Sequence, residues 1–207
     1  KAGTLAALDG KLRHARIPPL IFFQVSEWKE DRKDCLERIG RELQGDSFIV
    51  RSSCRREDGA DSSNAGTFLS LANISTINLE ESILKVIDAY GEPDPCDEVL
   101  VQPMLENVVR SGVAFSHDPN TCSPYRVVNW NEGEDTAAVT GGLGGSVWQH
   151  AASSPVDPPE SLAEVFAMLE ELYELFGEKP LDCEFAMTSR DEEELLWLLQ
   201  ARPLVLT

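Results

Sequence analysis

The chain has 207 residues, 42% of them hydrophobic and 26% charged, an ordinary globular composition with room for one domain or two small lobes sharing a cleft. Its formal net charge of −18 argues against nucleic acid and anionic membrane as partners. No apolar run approaches the ~20 residues that span a bilayer, no signal peptide opens the chain, and five cysteines without CxxC or His/Cys ligand spacing read as the reduced thiols of a cytoplasmic protein.

Leucines at 5, 8 and 12 have helical spacing, and Ile17-Pro18-Pro19 ends that helix. Residues 21–25 read as a strand, and 27–44 as one amphipathic helix with Trp28, Cys35, Leu36, Ile39 and Leu43 inward. A short buried strand, 47–51, ends in Arg51, and the following stretch from Ser52 to Gly66 has no apolar period. A strand over 68–74 and a helix over 79–90 follow, then the Pro- and acid-rich segment 91–97, which reads as a hinge between lobes 1–95 and 96–207. Beyond it lie strands at 99–104, 112–116 and 125–130, a glycine-rich loop at 141–145, a linker at 153–159 and a helix over 160–176. The apolar runs 181–187 and 195–204 flank a polar break, the pattern of a β-hairpin. Strands and helices mix without strict βαβ alternation, so the fold class is α+β.

The closing hairpin carries the densest chemistry. Side chains two apart share a strand face, so Asp182 and Glu184 lie together, as do Gln200 and Arg202 on the partner strand. Two carboxylates opposite an amide oxygen and a guanidinium can hold Mg²⁺ and touch phosphate together. The same pattern also fits a polar sheet face with an Arg–carboxylate pair. Arg51, at the end of a buried strand, presents a fixed cation. The hydroxyls of Ser52, Ser53 and Thr67, with the backbone around Gly66, can approach an oxyanion. A solvated loop held by an Arg51–Asp58 ion pair accounts for the same residues.

Taken together, Glu184 followed by Leu199-Gln200-Ala201-Arg202-Pro203, the Val50-Arg51-Ser52-Ser53 block with Ala65-Gly66-Thr67-Phe68, Val101-Gln102-Pro103-Met104 and Ser111-Gly112-Val113-Ala114-Phe115 resemble the ATP-binding domain of the phosphoenolpyruvate synthase and pyruvate phosphate dikinase family. The resemblance runs in order over nearly the whole chain. It implies an ATP-grasp fold of two lobes with the site between them, an N-terminal lobe covering phosphates and a C-terminal lobe carrying the adenine strand and the Mg²⁺ hairpin. By the same resemblance, Arg51 and Arg202 bind phosphates and the loop of Ser52, Ser53, Gly66 and Thr67 closes over them. Gln102 and Met104 meet adenine, and Glu184 and Gln200 hold Mg²⁺ with Asp182 in support. Lys1 matches the lysine of the family's opening helix, which reaches nucleotide phosphate. His117 stands where the family carries an arginine, and as a mostly neutral side chain it would hold phosphate weakly.

The implied reaction takes the β-phosphoryl group of ATP to a histidine on a separate swivelling domain and then to pyruvate or another acceptor, leaving AMP and phosphate. Residues 125–140 are similar to the glutamine kinase branch, where the acceptor is a glutamine amide. The carrier and acceptor domains are expected elsewhere in a longer protein, with the exit at Pro203 reading as a domain edge. Two other readings of the residues are a catalytically degenerate nucleotide-binding regulatory module and an ATP-grasp ligase that releases ADP.

Overall fold

The computed structural model describes residues 1–53, 69–133, 145–191 and 193–204, and the chain divides into two compact units. The first comprises Lys1–Ala2 and Pro18–Met104, the second Gly3–Ile17 and Leu105–Thr207. Helix α1 (Ala2–Leu8) therefore begins in the first unit and continues in the second.

The first unit is built on a four-stranded antiparallel sheet in the order β1-β4-β2-β3, formed by Ile21–Gln24, Glu98–Pro103, Ser47–Ser53 and Ser70–Ser75. Its core joins Phe23, Trp28, Ile39, Phe48, Val50, Ile83, Val86, Val99 and Val101, with the Phe23 and Trp28 rings stacked at 5.5 Å. The stretch expected as one helix is two, α2 (Val25–Glu30) and α3 (Arg32–Glu42). Asp31 separates them: its backbone N–H still bonds Glu27, but its carboxylate takes the N–H of Asp34 at 3.0 Å and starts a new helix. A short side-chain acceptor competes with the helix ladder in this way, so the hydrophobic period alone overran the break. Helix α4 (Leu79–Ala89) buries Leu79, Ile83, Val86 and Ile87 as its spacing required.

The placement of 96–104 in a C-terminal lobe is corrected by the sheet. Strand β4 lies between β1 and β2, with Phe23 opposite Val99 and Arg51 opposite Leu100. Val99, Leu100 and Val101 are all fully buried, as a strand covered on both faces must be. The segment 91–97 likewise sits inside this unit, where the Asp97 carboxylate accepts the Asp94 N–H at 2.8 Å and the Asp97 carbonyl accepts the Val25 N–H at 2.8 Å.

The second unit is a five-stranded antiparallel sheet in the order β7-β6-β5-β8-β9. Strands β5 (Val108–Phe115), β6 (Tyr125–Glu132), β8 (Leu181–Arg190) and β9 (Glu193–Pro203) lengthen the expected ones, and β7 (Ser146–Ala151) falls where no element was expected. Helix α5 (Ala163–Leu175) covers one face through Val165, Met168, Leu169 and Leu172, and Phe166 meets Trp148 of β7 edge-on at 6.0 Å. A Cβ on Gly112 would stand 2.3 Å from the Asn129 carbonyl oxygen and 2.9 Å from the Phe185 ring, so β5 fits under this packing only with glycine there.

The outer edge of β9 is met by Arg16. Arg16 bridges to it in parallel, donating to the Leu196 carbonyl at 2.9 Å and accepting the Leu198 N–H at 2.8 Å. The buried Glu171 carboxylate takes the backbone N–H of Arg13 at 3.0 Å and of His14 at 3.3 Å, together with Arg13 Nε at 3.0 Å. Burial raises the Glu171 carboxyl, but these donors outweigh it and hold its pKa below the ordinary value.

Candidate functional site

In the first unit the candidate residues gather at the C-terminal end of β2. Arg51 is 9% exposed, and Ser52 and Ser53 are more buried still. The Ser52 N–H bonds the Leu69 carbonyl at 3.1 Å, which extends the β2–β3 pairing to the point where the expected phosphate loop begins. Gly66 and Thr67 lie outside the described residues. Gln102 is buried and its Nε2 donates to the Pro18 carbonyl at 3.5 Å, while the Met104 N–H bonds the Ser47 carbonyl at 2.9 Å. Pairing with β1 runs from Glu98 to Val101, so over Gln102 and Pro103 strand β4 is paired by β2 alone among the described residues.

In the second unit the hairpin forms, and its register places Asp182 opposite Arg202 and Glu184 opposite Gln200. A bulge makes this possible. Phe185 pairs with Leu198 but Glu184 pairs with Gln200, so Leu199 is an extra residue on β9. Before it, buried Leu196 and Leu198 share the face of Phe185 and Met187. Beyond it the alternation switches, and Gln200 and Arg202 come to the face of Glu184 and Asp182. An inserted residue re-aims side chains in this manner, next to functional sites in particular. Arg202 donates Nε to both Asp182 oxygens, at 2.9 and 3.1 Å, and Nη2 to Oδ2 at 3.1 Å. The side chain of Asp182 is 16% exposed and that of Arg202 42%, so the carboxylate orients a guanidinium that still reaches solvent.

Whether Mg²⁺ suits this face is decided by its oxygens. Gln200 is 6% exposed, and its Oε1 is buried without a hydrogen-bond donor among the described residues. An orphaned amide oxygen directly across from a carboxylate is the donor chemistry of a hard cation. Among the described residues no cluster of three or more His, Cys, Asp or Glu forms a metal cage. Mg²⁺ characteristically takes only one or two protein ligands and completes its shell with water and phosphate oxygens, so the set fits it.

Sequence reasoning missed part of this face. Register across the sheet runs Gln200–Glu184–Val113–Asn129 in one row and Ala186–Ser111–Asn131 in the next. Ser111 Oγ and Asn129 Oδ1 are also buried without partners among the described residues. A Cβ on Gly145 (φ +127°) would stand 2.8 Å from both Asn129 Oδ1 and Asn131 Oδ1. The spacing of Asn129 and Asn131 was visible in the sequence, but only strand order puts them beside the hairpin.

His117 is not brought to this face. Its ring packs at 5.7 Å against Tyr173 of α5, on the helix-covered side, and its Nδ1 lies 3.1 Å from Ser116 Oγ. The cation there is Arg126, which is buried, paired with Glu170 and stacked 4.9 Å over Tyr173. Lys1 adjoins β2 of the first unit through its neighbour, because the Ala2 N–H donates to Ser53 Oγ at 2.9 Å.

No protein-family model matches the chain, and no curated protein matches it. Among solved structures, the PH1788 protein of Pyrococcus horikoshii Ot3 aligns over 98% of this chain and 88% of its own, with 13% identity and a TM-score of 0.57. D-alanine–D-alanine ligase from Helicobacter pylori aligns over 98% of this chain at 14% identity and a TM-score of 0.48. ATP citrate lyase from Methanothrix soehngenii aligns over 90% at 13% identity and a TM-score of 0.47. This chain spans 51% of the ligase and 44% of the lyase. At such identities the likeness is one of fold alone: α+β, with two antiparallel sheets, shared with the PH1788 protein over nearly the whole of this chain.

Proposed function

We propose that this chain is the ATP-binding domain of a larger phosphotransferase of the phosphoenolpyruvate synthase and pyruvate phosphate dikinase type. The observation that carries the reading is the bulged β8–β9 hairpin, which sets Glu184 across from the orphaned oxygen of Gln200 and aligns Arg202 against Asp182. In this reading Glu184 and Gln200 hold Mg²⁺, which neutralises phosphate charge when bound. Arg202 binds phosphate oxygens with its guanidinium plane fixed by Asp182. In the first unit Arg51, Ser52 and Lys1 supply phosphate contacts, and Gln102 and Met104, at and just beyond the end of β4, meet adenine. Gly66 and Thr67 complete the phosphate loop. His117, packed against Tyr173, contributes at most indirectly.

The chemistry required of these residues is positioning and charge neutralisation, which is how phosphoryl transfer is catalysed in general. The β-phosphoryl group passes to a histidine on a carrier domain of the same enzyme and then to pyruvate or a glutamine amide nitrogen, while AMP leaves from one side of it and the γ-phosphoryl group goes to water as phosphate. The test is product analysis: the full-length enzyme, given ATP and each acceptor, releases AMP and phosphate. Release of ADP alone would assign it instead to ligase-type chemistry through an acyl phosphate.

A further inference from the structure

Ser53 ends β2 and is 2% exposed, and its N–H and hydroxyl are both taken by other elements. Its hydroxyl accepts the N–H of Ala2 at 2.9 Å and donates to Glu98 Oε2 at 3.3 Å. Its own N–H donates to the Tyr90 hydroxyl at 3.0 Å, and that hydroxyl donates to the Glu98 carbonyl at 2.5 Å. The end of α4, the start of β4 and the start of α1 are thus tied at one residue. Ala2 is fully buried, so the residue before it is held at this strand end.

We infer that Ser53 is a positioning residue that fixes Lys1 beside the Arg51 end of β2, where both cations serve the nucleotide phosphates. The inference rests on the ATP-binding reading and adds the device that assembles its cations. In a chain of net charge −18, an anionic ligand needs cations fixed in place, and Ser53 holds Lys1 near Arg51 beside the Glu98 carboxylate it also engages. A hydroxyl suits the position because it accepts and donates at once. Alanine there would leave the buried Ala2 N–H and the Glu98 carboxylate without this partner. Threonine keeps the hydroxyl.

The test is calorimetric titration of this chain with Mg·ATP in a double-mutant cycle. Ser53→Ala is expected to weaken binding about 10-fold and Ser53→Thr by no more than about 3-fold, the scale of one buried hydrogen bond. In a Lys1→Ala background Ser53→Ala is expected to cost under about 2-fold, since a residue that acts through another adds nothing once that other is gone. A role confined to stability would lower the affinity equally in both backgrounds, and that result overturns the inference. Tyr90→Phe, which removes the support under Ser53, gives the same pattern at about 3-fold should Ser53→Ala not fold. Unchanged binding in Ser53→Ala, with loss in Arg202→Ala, would sink the tether and leave the ATP reading standing. No binding by the unsubstituted chain would sink both.

Discussion

Burial, reinforced by the Arg126 guanidinium, holds the His117 pKa below the ordinary histidine value of 6.5, against the opposing pull of Glu170. The sign follows directly. Folding favours the neutral ring, so the unfolded chain binds the proton more readily, and the stability this gives is intact above 6.5 and falls as the pH drops below it. Titrated by the NMR shifts of its ring protons, His117 is expected to show a midpoint below 6.5; a midpoint at or above that value would mean the ring is not packed against Tyr173. This one side chain also marks a limit of sequence reading. Ser111-Gly112-Val113-Ala114-Phe115 correctly announced a strand, but β5 ends at Phe115, and beyond a strand end no alternation rule fixes which face a residue takes. Ser53 was read as a phosphate contact because of its neighbours, and its engagement with Ala2, Tyr90 and Glu98 depends on partners far away in sequence, which local pattern does not carry.

At the scale of elements, the hairpin was legible because two apolar runs separated by a polar break leave few alternatives. Its bulge was not. Strict alternation along β9 puts Gln200 and Arg202 with Leu196 and Leu198 on the buried face, and the pairing across from the carboxylates holds only because Leu199 is extra. A one-residue change of register flips every side chain beyond it. Deleting Leu199 is therefore expected to weaken Mg·ATP binding at least about 10-fold, whereas Leu199→Ala, which keeps the residue count, changes it by less than about 3-fold. Equal affinities for the two variants, each checked by circular dichroism for retained sheet, would show that the bulge does not set the site. The division of α2 from α3 has a similar origin. Trp28, Cys35 and Ile39 are buried as their spacing required, yet Asp31 interrupts the ladder because its own carboxylate offers an N–H a competing partner. Strand β7 escaped notice because the glycines before it dominate the local composition, while its pairing with β6 is a tertiary matter.

For the whole molecule, the mixing of strands and helices gave the α+β class, whereas composition left one domain or two lobes open, and the units divide after Met104 and not in the Pro- and acid-rich stretch. Proline and acidic residues at 91–97 look like a linker. The uninterrupted burial of Val99, Leu100 and Val101 was the better signal, because only a strand inside a sheet tolerates it. The net charge of −18 also has a functional consequence. A nucleotide approaching this surface meets overall repulsion, so affinity must come from the few fixed cations and from metal that neutralises phosphate. Under the proposed ATP-binding reading, metal dependence is what the net charge and the orphaned Gln200 oxygen both lead one to expect. The most direct measurement is calorimetric titration of the chain with ATP, with and without Mg²⁺, beside Glu184→Ala and Arg202→Ala. Binding is expected to tighten with Mg²⁺, to lose its metal enhancement in Glu184→Ala, and to weaken about 10-fold or more in Arg202→Ala, the scale of a charge-assisted phosphate contact. Identical binding by all three proteins, or none by the unsubstituted chain, would contradict the ATP-binding reading.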